Sequence, residues 1–170
     1  MTMKKIKLFA LAVFAMLSTN VFAEVGDESA TTVFRYTITA EPDGEGDAAT
    51  PGTAEILGFV AGYVAPATVE IPATVLFTDG ETEYNVKSIA ASAFANKAVA
   101  FDFTKATNLE TIGLGAFAGT KIVTLDLSKT KVKAIGNIFG TAIGEGDENI
   151  VYASLTTVKL PNAWTSINNS

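Results

Sequence analysis

Four charged side chains sit in the middle of four short apolar triplets: Glu70 in Val69-Glu-Ile71, Asp102 in Phe101-Asp-Phe103, Asp126 in Leu125-Asp-Leu127 and Lys159 in Val158-Lys-Leu160. In extended chain, successive side chains alternate between faces. The apolar residues would therefore point inward and the four charges outward, as rungs about 4.8 Å apart if the strands stack. Two carboxylates such as Asp102 and Asp126 could in principle divide acid and nucleophile roles in glycoside hydrolysis. That chemistry needs separations of about 5–5.5 or 6.5–9.5 Å and one raised pKa. An open, solvated rung offers no means of raising a carboxyl pKa, so no catalytic residue is assigned. The ladder of Glu70, Asp102, Asp126 and Lys159 is instead a candidate ligand-binding face, the alternative being simply the solvated side of a sheet.

Other chemistries are narrowed by composition. The chain has no histidine and no cysteine, which removes Ser-His-Asp triads, Cys-His pairs, disulfides and the common zinc sites. The run Asp43-Gly-Glu-Gly-Asp47 alternates carboxylates, but it lacks the further ligands and late glutamate of a calcium loop and reads as a solvated hairpin loop. No metal or cofactor is expected. The formal net charge is −6, and loss of Lys4, Lys5 and Lys7 with a leader would make the chain more acidic still. Such a surface does not suit nucleic acid, which is bound through clustered Lys and Arg.

The elements that would hold the ladder come from a repeat. Val86-Lys-Ser-Ile-Ala-Ala-Ser-Ala-Phe94 is followed by Leu109-Glu-Thr-Ile-Gly-Leu-Gly-Ala-Phe117 and then by Val132-Lys-Ala-Ile-Gly-Asn-Ile-Phe139. Ile89, Ile112 and Ile135 are evenly spaced, and Phe94, Phe117 and Phe139 keep the same spacing to within one position. A period of about 23 residues marks a solenoid of the leucine-rich-repeat kind, in which each unit buries its apolar face against the next. The Ile and Phe positions should form two columns. The Ala-rich stretch 90–95 predicts a short helical turn, which Gly113 and Gly115 would weaken in the second copy. Lys87, Glu110 and Lys133 form a second, sign-alternating ladder, while Lys105 and Lys129 follow the acidic rungs at i+3.

Before the repeats, residues 1–23 read as a secretory signal: Lys4, Lys5 and Lys7, an apolar run over 8–17, then Val21-Phe22-Ala23. The run is about half the roughly twenty residues a membrane span needs. Cleavage between Ala23 and Glu24 would place the mature chain outside the cytoplasm, secreted, periplasmic or at the cell surface, with no membrane span. Residues 24–66 form a β-rich region, with Phe34-Arg-Tyr-Thr-Ile38 and Glu55-Ile-Leu-Gly-Phe-Val60 as strands. Residues 67–170 form the repeat domain. It opens on a hairpin in which Asp79-Gly80 joins Val69–Phe77 to Thr82–Val86. The pattern breaks at the acidic loop Gly144-Glu-Gly-Asp-Glu148, resumes at Leu155, and leaves an incomplete last repeat in which Trp164 would fold over the edge beside Phe139 and Leu160. The fold class is thus mainly β or α+β, a short solenoid of three to four repeats behind a β-hairpin region.

Ile89 with Ala93-Phe94, Ile112 with Ala116-Phe117, and the strand ends Ile71-Pro72 and Leu160-Pro161 resemble the BspA-like leucine-rich repeats of bacterial surface proteins. The likeness covers about residues 67–167. The third copy departs, with Ile138-Phe139 for Ala-Phe, and Asn96 and Gly119 stand where the family carries a cysteine or small polar residue. The resemblance implies an exported, non-catalytic binding or adhesion protein with an extracellular protein or glycan ligand. The alternative is a structural or assembly subunit that self-associates through its uncapped C-terminal edge.

Overall fold

The computed structural model describes residues 24–43, 50–77, 82–140, 155–162 and 164. The signal segment, the Asp79-Gly80 turn, the 144–148 loop and most of the Asp43–Asp47 run lie outside them. The described residues form ten strands and no helix: β1 Glu28–Ala30, β2 Phe34–Ala40, β3 Gly52–Phe59, β4 Thr68–Glu70, β5 Thr74–Leu76, β6 Glu83–Ile89, β7 Ala100–Asp102, β8 Thr111–Ile112, β9 Thr124–Asp126 and β10 Thr157–Lys159.

The alternation seen in the sequence becomes burial directly. Phe34, Tyr36 and Ile38 of β2 are buried, as are Gly52, Ala54, Ile56 and Gly58 of β3. β2 and β3 pair antiparallel, and the pairing extends to a bridge between Asp43 and Thr50. Glycine at position 52 leaves room for Tyr84, whose ring carbons would stand 2.6 Å from a Cβ there.

β6 is the strand on which the two parts of the chain meet. One edge pairs parallel with β3. The other edge is shared: its first half pairs antiparallel with β5, closing the expected hairpin, and its last residues pair parallel with β8 of the next repeat. The expected single strand Val69–Phe77 is therefore two. Ile71-Pro72-Ala73 separates β4, which pairs with β7 in the repeat stack, from β5, which pairs with β6. Proline lacks the N–H that an uninterrupted ladder would require. One apolar cluster runs from Phe34 through Ile56, Phe94 and Phe117 to Ile138.

The repeats stack through their backbones. Ser92, Phe94 and Asn96 donate N–H bonds to the carbonyls of Leu114, Ala116 and Ala118 in the next repeat, at 2.7–2.9 Å. Gly115 and Phe117 do the same to Asn137 and Ile138. The Phe column forms as expected, with Phe94 and Phe117 stacked at 5.7 Å and Phe139 following at 6.5 Å. Phe101 and Phe103 join it, 4.9 and 5.6 Å from Phe117. In the other column Ile89 is fully buried, while Ile112 and Ile135 are half-buried.

The expected helical turn over 90–95 is corrected. The bonds there are i to i+3 (Ala93 to Ala90, Ala95 to Ser92, Lys97 to Phe94) and recur in the second copy. Ser92 and Asn96 adopt φ of 56° and 59°, and their equivalents Gly115 and Gly119 adopt 63° and 67°. Two left-handed residues per turn rule out a helix. Gly115 therefore suits the second turn rather than weakening it, since glycine enters this region without a Cβ penalty.

At the far end, β10 pairs parallel with β9, Val158 opposite Leu125. The strand thus resumes in register beyond the acidic loop. Val158, expected to point into the core, is 46% exposed. Trp164 packs against the core cluster, and its indole Nε1 donates to the carbonyl of Val132. In the preceding repeat the equivalent carbonyl, Leu109, accepts the Lys131 N–H at 2.8 Å. The indole thus takes the place of a next-rung backbone donor. This is a cap, made through the Val132 carbonyl. Trp164→Phe, which keeps a ring and removes the donor, should cost about 1 kcal/mol. Trp164→Ala should first raise amide exchange over 155–160, while Phe101 to Phe103 stay protected. Uniform acceleration through all repeats would count against a separate terminal unit.

Candidate binding face

Three of the four triplets place their apolar residues as expected: Val69, Ile71, Phe101, Phe103, Leu125 and Leu127 are buried. The charged rungs between them face out. Strand pairing sets Glu70 beside Asp102 and Asp126 beside Lys159. The expected four-rung ladder is thus two two-rung ladders, because among the described residues no strand pairing joins β7 to β9. The stack continues there through the preceding backbone, where Lys121 N–H bonds the Val99 carbonyl at 3.0 Å.

Each rung has its own electrostatic setting. Glu70 Oε1 lies 3.0 Å from Lys105 Nζ, so that lysine offsets the rung before its own. Asp126 Oδ2 lies 2.8 Å from Lys159 Nζ. Its Oδ1 accepts the Ser128 hydroxyl at 2.6 Å and the Ser128 N–H at 3.1 Å. Asp102 Oδ1 accepts the Thr104 N–H at 2.9 Å, and among the described residues Asp102 has no ion-pair partner. Lys129 likewise forms no ion pair among the described residues, so it does not play the offsetting part expected of it.

Thr104 and Ser128 are partners that sequence reasoning missed. Their signal is the recurrence of Asp-Phe-Thr as Asp-Leu-Ser one repeat later. In each, the carboxylate closes an Asx turn that ends the strand. Asp102 and Asp126 therefore shape the corner of the repeat as well as facing solvent.

The hydrogen bond from Lys159, followed by that from Ser128, pulls the Asp126 carboxyl down to about 2 from its ordinary 3.8. A carboxylate so stabilised in its ionised form is the reverse of what a general acid needs. Its stabilising contribution is complete above the unfolded pKa near 4 and is lost as pH falls from about 4 through 2. Asp126→Asn should flatten that part of the acid-unfolding curve and cost no more than about 1 kcal/mol at pH 7, since the pair is solvent-screened. Identical acid limbs for variant and parent would show that the pair does not persist in solution.

The second ladder has more built into it. Lys87 and Glu110 form an ion pair, and the Lys87 hydrogen bond foremost lowers the Glu110 pKa; Lys131 and Lys133 add to this as nearby charges. Beside it runs a ladder that sequence reasoning did not single out, Asn85, Asn108 and Lys131, one from each successive repeat. Asn108 Nδ2 donates to Asn85 Oδ1 at 2.6 Å, and Lys131 Nζ donates to Asn108 Oδ1 at 3.1 Å. These bonds tie consecutive repeats together.

No family model matches the chain, and no curated protein matches it. Two crystal structures are similar. One is a leucine-rich repeat protein from Bacteroides capillosus, 18% identical, with the likeness covering 78% of this chain and 97% of that one at a TM-score of 0.45. The other is a leucine rich cell surface protein from Faecalibacterium prausnitzii, 17% identical, covering 85% of this chain and 45% of that one at a TM-score of 0.36. The stacking bonds of this chain itself, repeated from unit to unit around a Phe column, make it a mainly β solenoid of the leucine-rich-repeat kind. No helix among the described residues is long and apolar enough to cross a membrane.

Proposed function

We propose that this chain is an exported, BspA-like, non-catalytic binding module that engages an extracellular protein or glycan through its exposed strand face. The observation that supports this best is Asp102. Its Oδ1 is held by the Thr104 amide, and it has no ion-pair partner among the described residues, although its own partner rung, Glu70, and the acidic rung of the other ladder, Asp126, are both paired with lysines. It is a pre-oriented acceptor on a rigid stack, suited to an ammonium, guanidinium or hydroxyl of a partner. Export is supported by Lys4, Lys5, Lys7 and the apolar run that follows.

The test is a panel of extracellular matrix proteins and glycans offered to the chain from residue 24 onward. Any partner of this face should lose about tenfold in affinity with Asp102→Asn and be indifferent to Lys131→Ala on the other ladder. A partner bound equally by the Asp102 variant would remove the strand face from the mechanism. N-terminal sequencing of secreted protein that began at Met1 would remove the leader.

A second reading, an assembly subunit, is favoured by β10. All three of its residues are exposed, and among the described residues it pairs on one edge only, with β9. Such an edge can template another chain. Concentration-dependent oligomers in light scattering, abolished by Val158→Pro, would support this reading; a monomer at all concentrations would end it.

A further inference from the structure

We infer that the groove between the 60–65 turn and the corner after Phe94 is a second binding site, for a uronic-acid-containing glycan. The groove encloses about 420 Å³, within the range of small-ligand sites. None of the charged rungs Glu70, Asp102, Asp126 and Lys159 lines it, so it does not depend on that reading. Phe59 and Val99 form its apolar side, and Tyr63, Asn96 and Lys97 bring polar groups to it.

These three are set in place by backbone. Gly62, at φ 78°, makes the tight turn that carries Tyr63, whose N–H bonds the Val60 carbonyl. The Tyr63 ring is braced against Phe59 at 5.1 Å, and Phe59 in turn packs on Phe94 at 4.9 Å. Asn96 holds the left-handed conformation that Gly119 holds one repeat later, with its N–H on the Ala118 carbonyl. Lys97 follows, its N–H fixed to the Phe94 carbonyl.

The side chains so placed have unused capacity. Among the described residues the Tyr63 hydroxyl and the Asn96 amide have no hydrogen-bond partner, and Lys97 has no ion pair. Lys97 is the one charged residue among the described residues lining the groove. In a chain of net charge −6, an uncompensated ammonium group in a groove that also holds an aromatic ring selects an anion with an apolar face. A uronic acid pyranose meets each requirement. Its C–H face stacks on a tyrosine ring, its hydroxyls bond the amide and phenol, and its carboxylate meets Lys97.

The test titrates oligogalacturonate, its methyl ester and oligoglutamate into the chain from residue 24 onward by calorimetry. The acid sugar should bind and the uncharged ester should bind at least tenfold more weakly. Lys97→Gln should weaken the acid sugar about tenfold while leaving the melting temperature unchanged. Tyr63→Ala should abolish binding of both sugars, and Asp102→Asn should change nothing. No binding of the acid sugar, equal binding of acid and ester, oligoglutamate binding as tight as the sugar, or full affinity in Lys97→Gln would each overturn the assignment. Loss on Asp102→Asn would move the sugar to the strand face and overturn it as well.

Discussion

Phe117→Ala is expected to lower folding stability by about 3–5 kcal/mol, the range for buried aromatic truncations. The residue is fully buried and its ring touches four others: Phe94, Phe101, Phe103 and Phe139. Three come from its own and the preceding repeat level and one from the next, so the cavity opens inside the stack where no surface side chain can collapse into it. Phe139, the last ring of the column among the described residues and half-buried, should lose less on the same change, because solvent already reaches it and can relax around it. The measurement is a denaturant titration of both variants against the parent, with slopes compared to confirm that the transition remains two-state. Equal losses for the two phenylalanines would show that the column does not have a middle and an end.

Gly113→Ala is the second large effect, about 1–3 kcal/mol of destabilisation from overpacking. A Cβ at this position would stand 2.4 Å from Ala91 N, 2.6 Å from Ala90 C and 2.7 Å from Ala91 Cα. These are backbone atoms of the preceding repeat and cannot rotate away. The Gly113 N–H bond to the Ile89 carbonyl at 2.8 Å holds the two chains at that approach. The control is internal to the repeat. Gly136 occupies the same place one repeat later, and a Cβ there meets nothing within 4 Å, so Gly136→Ala should stay within about 0.5 kcal/mol of the parent. The first repeat carries Ala90 at this place, and repeat comparison alone would therefore rank both substitutions as harmless. Matching stabilities for the two variants would mean that the second and third repeats approach their neighbours equally closely.

Much of the architecture is legible in advance because it is carried by local periodicities. The shared spacing from Ile89 to Ile112 and from Phe94 to Phe117 requires stacking, since a unit with one apolar face has nowhere else to bury it. The alternation in Phe101-Asp-Phe103 and Leu125-Asp-Leu127 requires that the carboxylates face out once the phenylalanines and leucines face in. The corner turns are not legible in this way, because the Ala-rich composition of 90–95 favours a helix locally. The stack instead claims the N–H groups of Ser92, Phe94 and Asn96 for carbonyls of the next repeat, and nothing in the six-residue window signals those distant acceptors.

What the sequence determined by itself, then, is a stack of β units with a Phe column inside and charged rungs outside. These follow from even spacing and from alternation within a few residues of each site. The tertiary structure decided which groups meet. It joined β3 to β6 and β5 to the other edge of β6, split the charged rungs into two pairs, and gave Lys105 to Glu70 rather than to Asp102. It also brought Trp164 Nε1 to the Val132 carbonyl and set Tyr63, Asn96 and Lys97 around one groove. The physical reason is the same in each case. A hydrogen bond or ion pair requires positioning within a few tenths of an ångström. Between residues far apart in the chain, that distance is set by how far each sheet curls and each turn advances, not by any spacing along the sequence.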